Sequence, residues 1–233
     1  LEIDVIRWLK VKNMDLQALA PLVMSLLIHK YSLNDANAVI DLQDLAKDQM
    51  LNLALGKLYF INDEIEKFIT LLRKHVLLNC IDGSYKDQHL LKLAGRLALH
   101  SEHNEQVYQY DADEKTLVNK LASLLTEVLL SPTNKTHDSA PLFTLYAMYE
   151  PLITVPGIDR LSNQNLTDWP AHAKRLIQHV VVNAKAEVQL MATIEKLGPI
   201  SDSISVGVKQ QYEENPYPRW LHLSYNTPTN YGR

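Results

Sequence analysis

His100 and His103 stand three residues apart, with Glu102 and Glu105 beside them. On a helix this spacing places two imidazoles on one side, which is half of a zinc site. No further ligand pair with metal spacing occurs, which favours a polar helix end on the surface. His172 and His179 are seven apart and share one helical face. They read as solvated or hydrogen-bonded groups. Cys80 is the single cysteine, and His75 on the preceding turn has no convincing spacing to act as its base. A buried structural thiol is the favoured reading. Asp111, Asp113 and Glu114 follow Tyr108 and Tyr110. They form either a polar recognition loop or a cluster of acid at the positive end of a helix dipole, and the second is preferred. Tyr146 and Tyr149, with Trp169, read as core or subdomain contacts.

These residues need helices to position them. Leucine recurs at three and four residue spacings, glycine is scarce at seven, and few stretches alternate with period two, so the fold class is all-α. A short helix is expected over 2–10, and Asp15 can cap the next. Asp41 or Asp44 opens a third region, and Asn62 with Asp63 and Glu64 starts a fourth. A fifth helix is expected over about 85–100, a sixth capped by Asp113, and a short aromatic one over 140–150. Pro151, Pro156 and Gly157 make 151–162 largely irregular. Asp168 with Pro170 opens the longest helix, to about residue 197 and the Gly198–Pro199 pair. Ser201 or Asp202 caps the last. The lengths suit either an irregular helical bundle or a tetratricopeptide-like array. The small and aromatic positions of that repeat do not recur at its period, which favours the bundle. The polar 131–139 loop either divides a helical subdomain over 1–131 from a second over 140–215 or lies within one unit, and an extended segment over 216–233 is expected to lead to a catalytic domain.

The 233 residues are 46% hydrophobic and 21% charged, with a net charge of −4. That is ordinary for a soluble domain and argues against a nucleic-acid-binding face. No apolar run is long enough to cross a membrane. One cysteine and no visible signal peptide point to a cytoplasmic setting. The chain starts at Leu1, so it is expected to be a piece of a longer protein or to lack a disordered start.

The richest stretch is Tyr212, Glu213, Glu214, Asn215, Pro216, Tyr217, Pro218, Arg219 and Trp220. A helix is expected to end at Asn215, because a residue before proline is pushed out of the helical region. Pro216 and Pro218 then hold the chain extended. Tyr212, Tyr217 and Trp220 need a surface on which to bury their rings, either their own chain's or a partner's. The segment is either a structural clasp, with Arg219 pairing an acid, or a lid or hinge.

The string QYEENPYPRW resembles a signature found before the catalytic domain in a bacterial family of class I S-adenosylmethionine-dependent methyltransferases, often carrying tetratricopeptide repeats. Residues 66–78, EKFITLLRKHVLL, resemble the family's arginine-containing helix. Residues 103–121 resemble its asparagine–glutamate–tyrosine–valine core before an acidic helix start, with Gln106 in place of the tyrosine. Residues 149–161 resemble its proline-rich turn, and 200–220 are the nearest match. The resemblance implies that this chain is the helical N-terminal region of such an enzyme, with S-adenosylmethionine the cofactor of the parent protein. It supplies no catalytic residue here. A class I methyltransferase needs a glycine-rich turn after its first strand, and no two glycines of this chain are close enough to make one. No cofactor is therefore expected in this chain. The expected function is a non-catalytic region positioning substrate or partner, its terminal segment packing on the catalytic domain. The alternative is a stand-alone helical adaptor that binds protein.

Overall fold

A computed structural model describes residues 1–11, 16–35, 40–83, 85–131, 136–191, 193 and 202–214. Among them there are helices and turns but no strand, so the chain is all-α as the leucine spacing indicates.

Helix α1 (Glu2–Lys10) has the expected bounds and buries Val5 and Leu9. Helix α2 (Ala20–Tyr31) begins with a proline in its first turn and stops where Ser32 turns left-handed, at φ 50°. Asp15 lies outside the described residues. The third region forms two short helices. Asp41 caps α3 (Leu42–Lys47), accepting from the Gln43 amide at 2.7 Å. Asp48 is extended, breaks the helix, and caps α4 (Gln49–Leu55) through the Leu51 amide at 2.8 Å. Asn62 caps α5 (Asp63–Asp82) through the Ile65 amide at 3.0 Å.

Helix α6 (Gln88–His103) starts three residues later than expected. Tyr85 has φ 62°, which a right-handed helix excludes, and Asp87 caps the helix through the His89 and Leu90 amides. Helix α7 (Ala112–Leu130) is capped by Asp111 and not by Asp113. Asp111 accepts from the Glu114 amide at 2.9 Å, and Glu114 Oε2 accepts from the Asp111 amide at 3.0 Å. This reciprocal capping box satisfies two otherwise unpaired donors. Helix α8 (Ala140–Tyr146) ends four residues early in a run of turns. Short 3₁₀ turns cover Leu152–Thr154 and Ile158–Asn163.

The long helix begins after Pro170 as α9 (Ala171–Ile177), and Asp168 makes no cap. It continues through a π-helical stretch, Gln178–Asn183, into α10 (Ala184–Met191). Residues 194–200 lie outside the described set. Asp202 accepts from the Ser205 amide at 2.8 Å at the start of α11 (Ser203–Glu214), and Ser201 is outside the described residues.

Helix α6 is the axis of the molecule. It buries nearly its whole circumference, from Leu90 through Ser101, which places it at the centre of the packing. Helices α3, α4, α5, α8 and α9 all pack on it. One hydrophobic cluster runs from Val5 to Val181, drawing residues from both sides of positions 131–139, of which Thr136–Ser139 form a 3₁₀ turn. Burying each large apolar side chain contributes about 1.5–3 kcal/mol, set against the entropy of ordering it.

Gly157 lets the 3₁₀ turn pack on the end of α7. Its φ is 85°, and a Cβ there would lie 3.3 Å from both Leu129 Cβ and Leu130 Cδ2. Gly157→Ala is expected to lower the free energy of unfolding by about 1–2 kcal/mol. Urea unfolding of the two proteins measures it.

Candidate functional site

Arg73 is fully buried on α5 and is one of the largest side chains in the interior. Its Nη1 donates to the Met148 carbonyl at 2.9 Å. Its Nη2 donates to the carbonyls of Tyr108 at 3.2 Å and Gln109 at 2.9 Å. The guanidinium stacks over the rings of Tyr149 at 4.6 Å and Tyr108 at 5.2 Å. Tyr149 donates its hydroxyl to Glu114 Oε1 at 2.8 Å, so the buried cation and the buried carboxylate are linked through one ring. Burial pushes the Arg73 guanidinium down from its usual range and the Tyr149 phenol up. Both remain in their ordinary neutral-pH states.

His100 and His103 do not share a site. His100 is fully buried, with Nδ1 3.2 Å from the Leu55 carbonyl and Nε2 2.9 Å from the Tyr108 hydroxyl. A carbonyl only accepts, so Nδ1 carries the proton, and Nε2 accepts from Tyr108. His103 instead meets His179 edge-on, ring centroids 5.5 Å apart. Among the described residues no group of three or more His, Cys, Asp or Glu could hold a metal. Cys80 is buried, and burial pushes its thiol up to about 12, as befits a structural residue. Asp111 and Glu114 are the cap of α7, and Asp111 also pairs with Lys74. Tyr146, Tyr149 and Trp169 are all core, with Trp169 packed on Phe143 at 5.4 Å. Most buried polar groups are thus taken up in holding the fold together, while among the described residues Asn52 Oδ1, Arg73 Nε, Ser101 Oγ and His172 Nε2 are buried without a hydrogen-bond partner.

Tyr212, Glu213 and Glu214 are the last residues of α11. Asn215, Pro216, Tyr217, Pro218, Arg219 and Trp220 lie outside the described residues.

The feature that residue spacing did not disclose is a groove between α6 and α9. The two helices approach closely at Gly95, where an added Cβ would lie 3.0 Å from His172 Cβ. On either side of that contact a pocket opens, one of about 510 Å³ and one of about 400 Å³. Both are lined by Leu99, Ala171 and Arg175. The larger also takes Gln178, His179 and Asn183 from the π-helical stretch, and the smaller takes Lys92 and Arg96 from α6. Such widened turns occur frequently at functional positions. Arg96 lies over Gly56, where a Cβ would sit 3.1 Å from its Nη1. Burial lowers the Arg96 pKa, and the charge of Arg175 lowers it further. Lys57 is lowered by burial and then by Arg175 and Arg96, and it donates to the Leu9 carbonyl. The groove is thus a concentration of positive charge on a chain of net charge −4.

Two outcomes follow for the interior. Arg73→Met leaves three carbonyls without their donor and Glu114 without its cation, so it is expected to cost about 3 kcal/mol or more in urea unfolding. His100 is held down to about 4 by burial, against 6.5 when exposed. Below pH 6.5 the unfolded chain binds a proton that the folded chain refuses. The stability this residue contributes is present above pH 6.5 and is lost as pH falls to about 4, by on the order of 3 kcal/mol. His100→Gln should flatten that part of the stability-against-pH curve.

The chain matches no protein-family model, no curated protein and no solved structure.

Proposed function

We propose that this chain is the non-catalytic helical region of an S-adenosylmethionine-dependent methyltransferase, and that it positions a substrate or partner for the catalytic part. The observation that carries this reading is the QYEENPYPRW string, whose first residues form the end of α11 at Glu214. A helical end followed in the sequence by two prolines and two aromatic residues suits an element that transmits the position of one domain to another. Two further observations support it. Arg73, His100, Asp111 and Glu114 are absorbed in caps and internal hydrogen bonds, which fits a positioning role. An open groove on the α6–α9 side leaves room for a ligand.

The test is calorimetric titration of S-adenosylmethionine into this chain and into the protein expressed from the whole reading frame. Saturable one-to-one binding by the longer protein, with none by residues 1–233, is the expected result. A reading frame with no glycine-rich strand–turn–helix after residue 233 would overturn the proposal. In that event the adaptor reading takes its place, and Tyr217→Ala with Trp220→Ala should abolish assembly with a partner.

A further inference from the structure

We propose that the groove between α6 and α9 binds a small organic phosphate, with its phosphoryl oxygens held between the guanidinium groups of Arg96 and Arg175. The inference does not rest on the methyltransferase reading.

The first ground is a contrast among the described arginines, seen beside the lysines that are paired. Lys30 pairs with Glu2 and Asp48, and Lys74 pairs with Asp111. Arg7 pairs with Asp4. Arg73 and Arg160 donate to backbone carbonyls, and Lys57 donates to Leu9. Among the described residues Arg96 and Arg175 have no such oxygen, although Arg96 is only partly exposed. Two guanidinium groups close enough to repel one another, one half-buried, form an arrangement that an anion relieves.

The second ground is the lining. Among the described residues around both pockets there is no Asp or Glu, whereas the chain as a whole carries 27 of them against 23 Lys and Arg. Nothing in the groove competes with an incoming anion. Lys92 and Lys174 at the rim add long-range attraction.

Chemistry and shape select the ligand class. A guanidinium is a planar fork of donors that meets phosphate oxygens in pairs, and two forks match the charge of a phosphate dianion. The groove has more room than a bare ion needs, at about 510 Å³ beside about 400 Å³. Leu99 and Ala171 give it an apolar floor, and Gln178 and Asn183 give it neutral hydrogen-bonding groups. That combination suits the organic part of a phosphate ester.

The experiment is calorimetric titration at fixed ionic strength with inorganic phosphate, glycerol phosphate, adenosine monophosphate and adenosine. Saturable binding of at least one ester, tighter than inorganic phosphate and absent for adenosine, is expected. Arg175→Gln, an exposed position whose loss leaves the core intact, should weaken it about tenfold or more. Arg96→Gln should do the same, and Lys115→Gln on α7 should change nothing. No saturable binding of any phosphate, or binding unaltered in Arg175→Gln, overturns the site. Inorganic phosphate binding as tightly as the esters overturns the assignment to an organic phosphate.

Discussion

A single buried cation organises this fold. Arg73 cannot shed its charge, and on α5 it is sealed from water. The chain must therefore bring oxygen atoms to it. It does so with three backbone carbonyls, from the segment before α7 and from the turn after α8, and with the faces of two tyrosines. Those segments are far apart in sequence and have no strand or disulfide to hold them. The guanidinium fixes their relative position. Once Tyr108 is held, its hydroxyl is placed for His100 on α6; once Tyr149 is held, its hydroxyl is placed for Glu114 on α7. Three helices and two loops are thus referenced to one side chain.

The interior and the groove follow opposite rules. Inside, most buried polar groups find a partner, and much of the cost of burial is offset by hydrogen bonds. In the groove, cations are gathered without acids. The central helix serves both regimes. Its apolar circumference makes the core, while Lys92 and Arg96, one turn apart, carry charge to its single open side. Gly95 lets α9 come close enough for Arg175 to face them.

The helices were legible because their start signals are local. Asp41, Asn62 and Asp202 act within three residues of themselves, and a helix dipole needs nothing more distant. Where two acids competed, local reading was insufficient. Asp111 rather than Asp113 caps α7 because Glu114 at the third helical position closes the box, and Glu114 is itself held by Tyr149 from 35 residues away. Arg73 left a trace in the sequence. It stands four residues after Ile69 and four before Leu77, on a face otherwise apolar. The groove left none, because Arg96 and Arg175 meet only through tertiary packing. His100 and His103 read as a polar helix end on the surface, but only tertiary packing decides burial: His100 lies in the core, and His103 meets His179 of the π-helical stretch.

The π-helical stretch at Gln178–Asn183 has an effect beyond the groove it lines. A π turn holds more residues than an α turn, so it resets the angular phase of everything after it. Before it, Ala173, Leu176 and Ile177 point into the core. After it, Val188 and Leu190 are 66% and 62% exposed. Residues 186–190 are exposed on every side, so the same continuous rod that is anchored in this domain's interior by α9 projects out of it along α10.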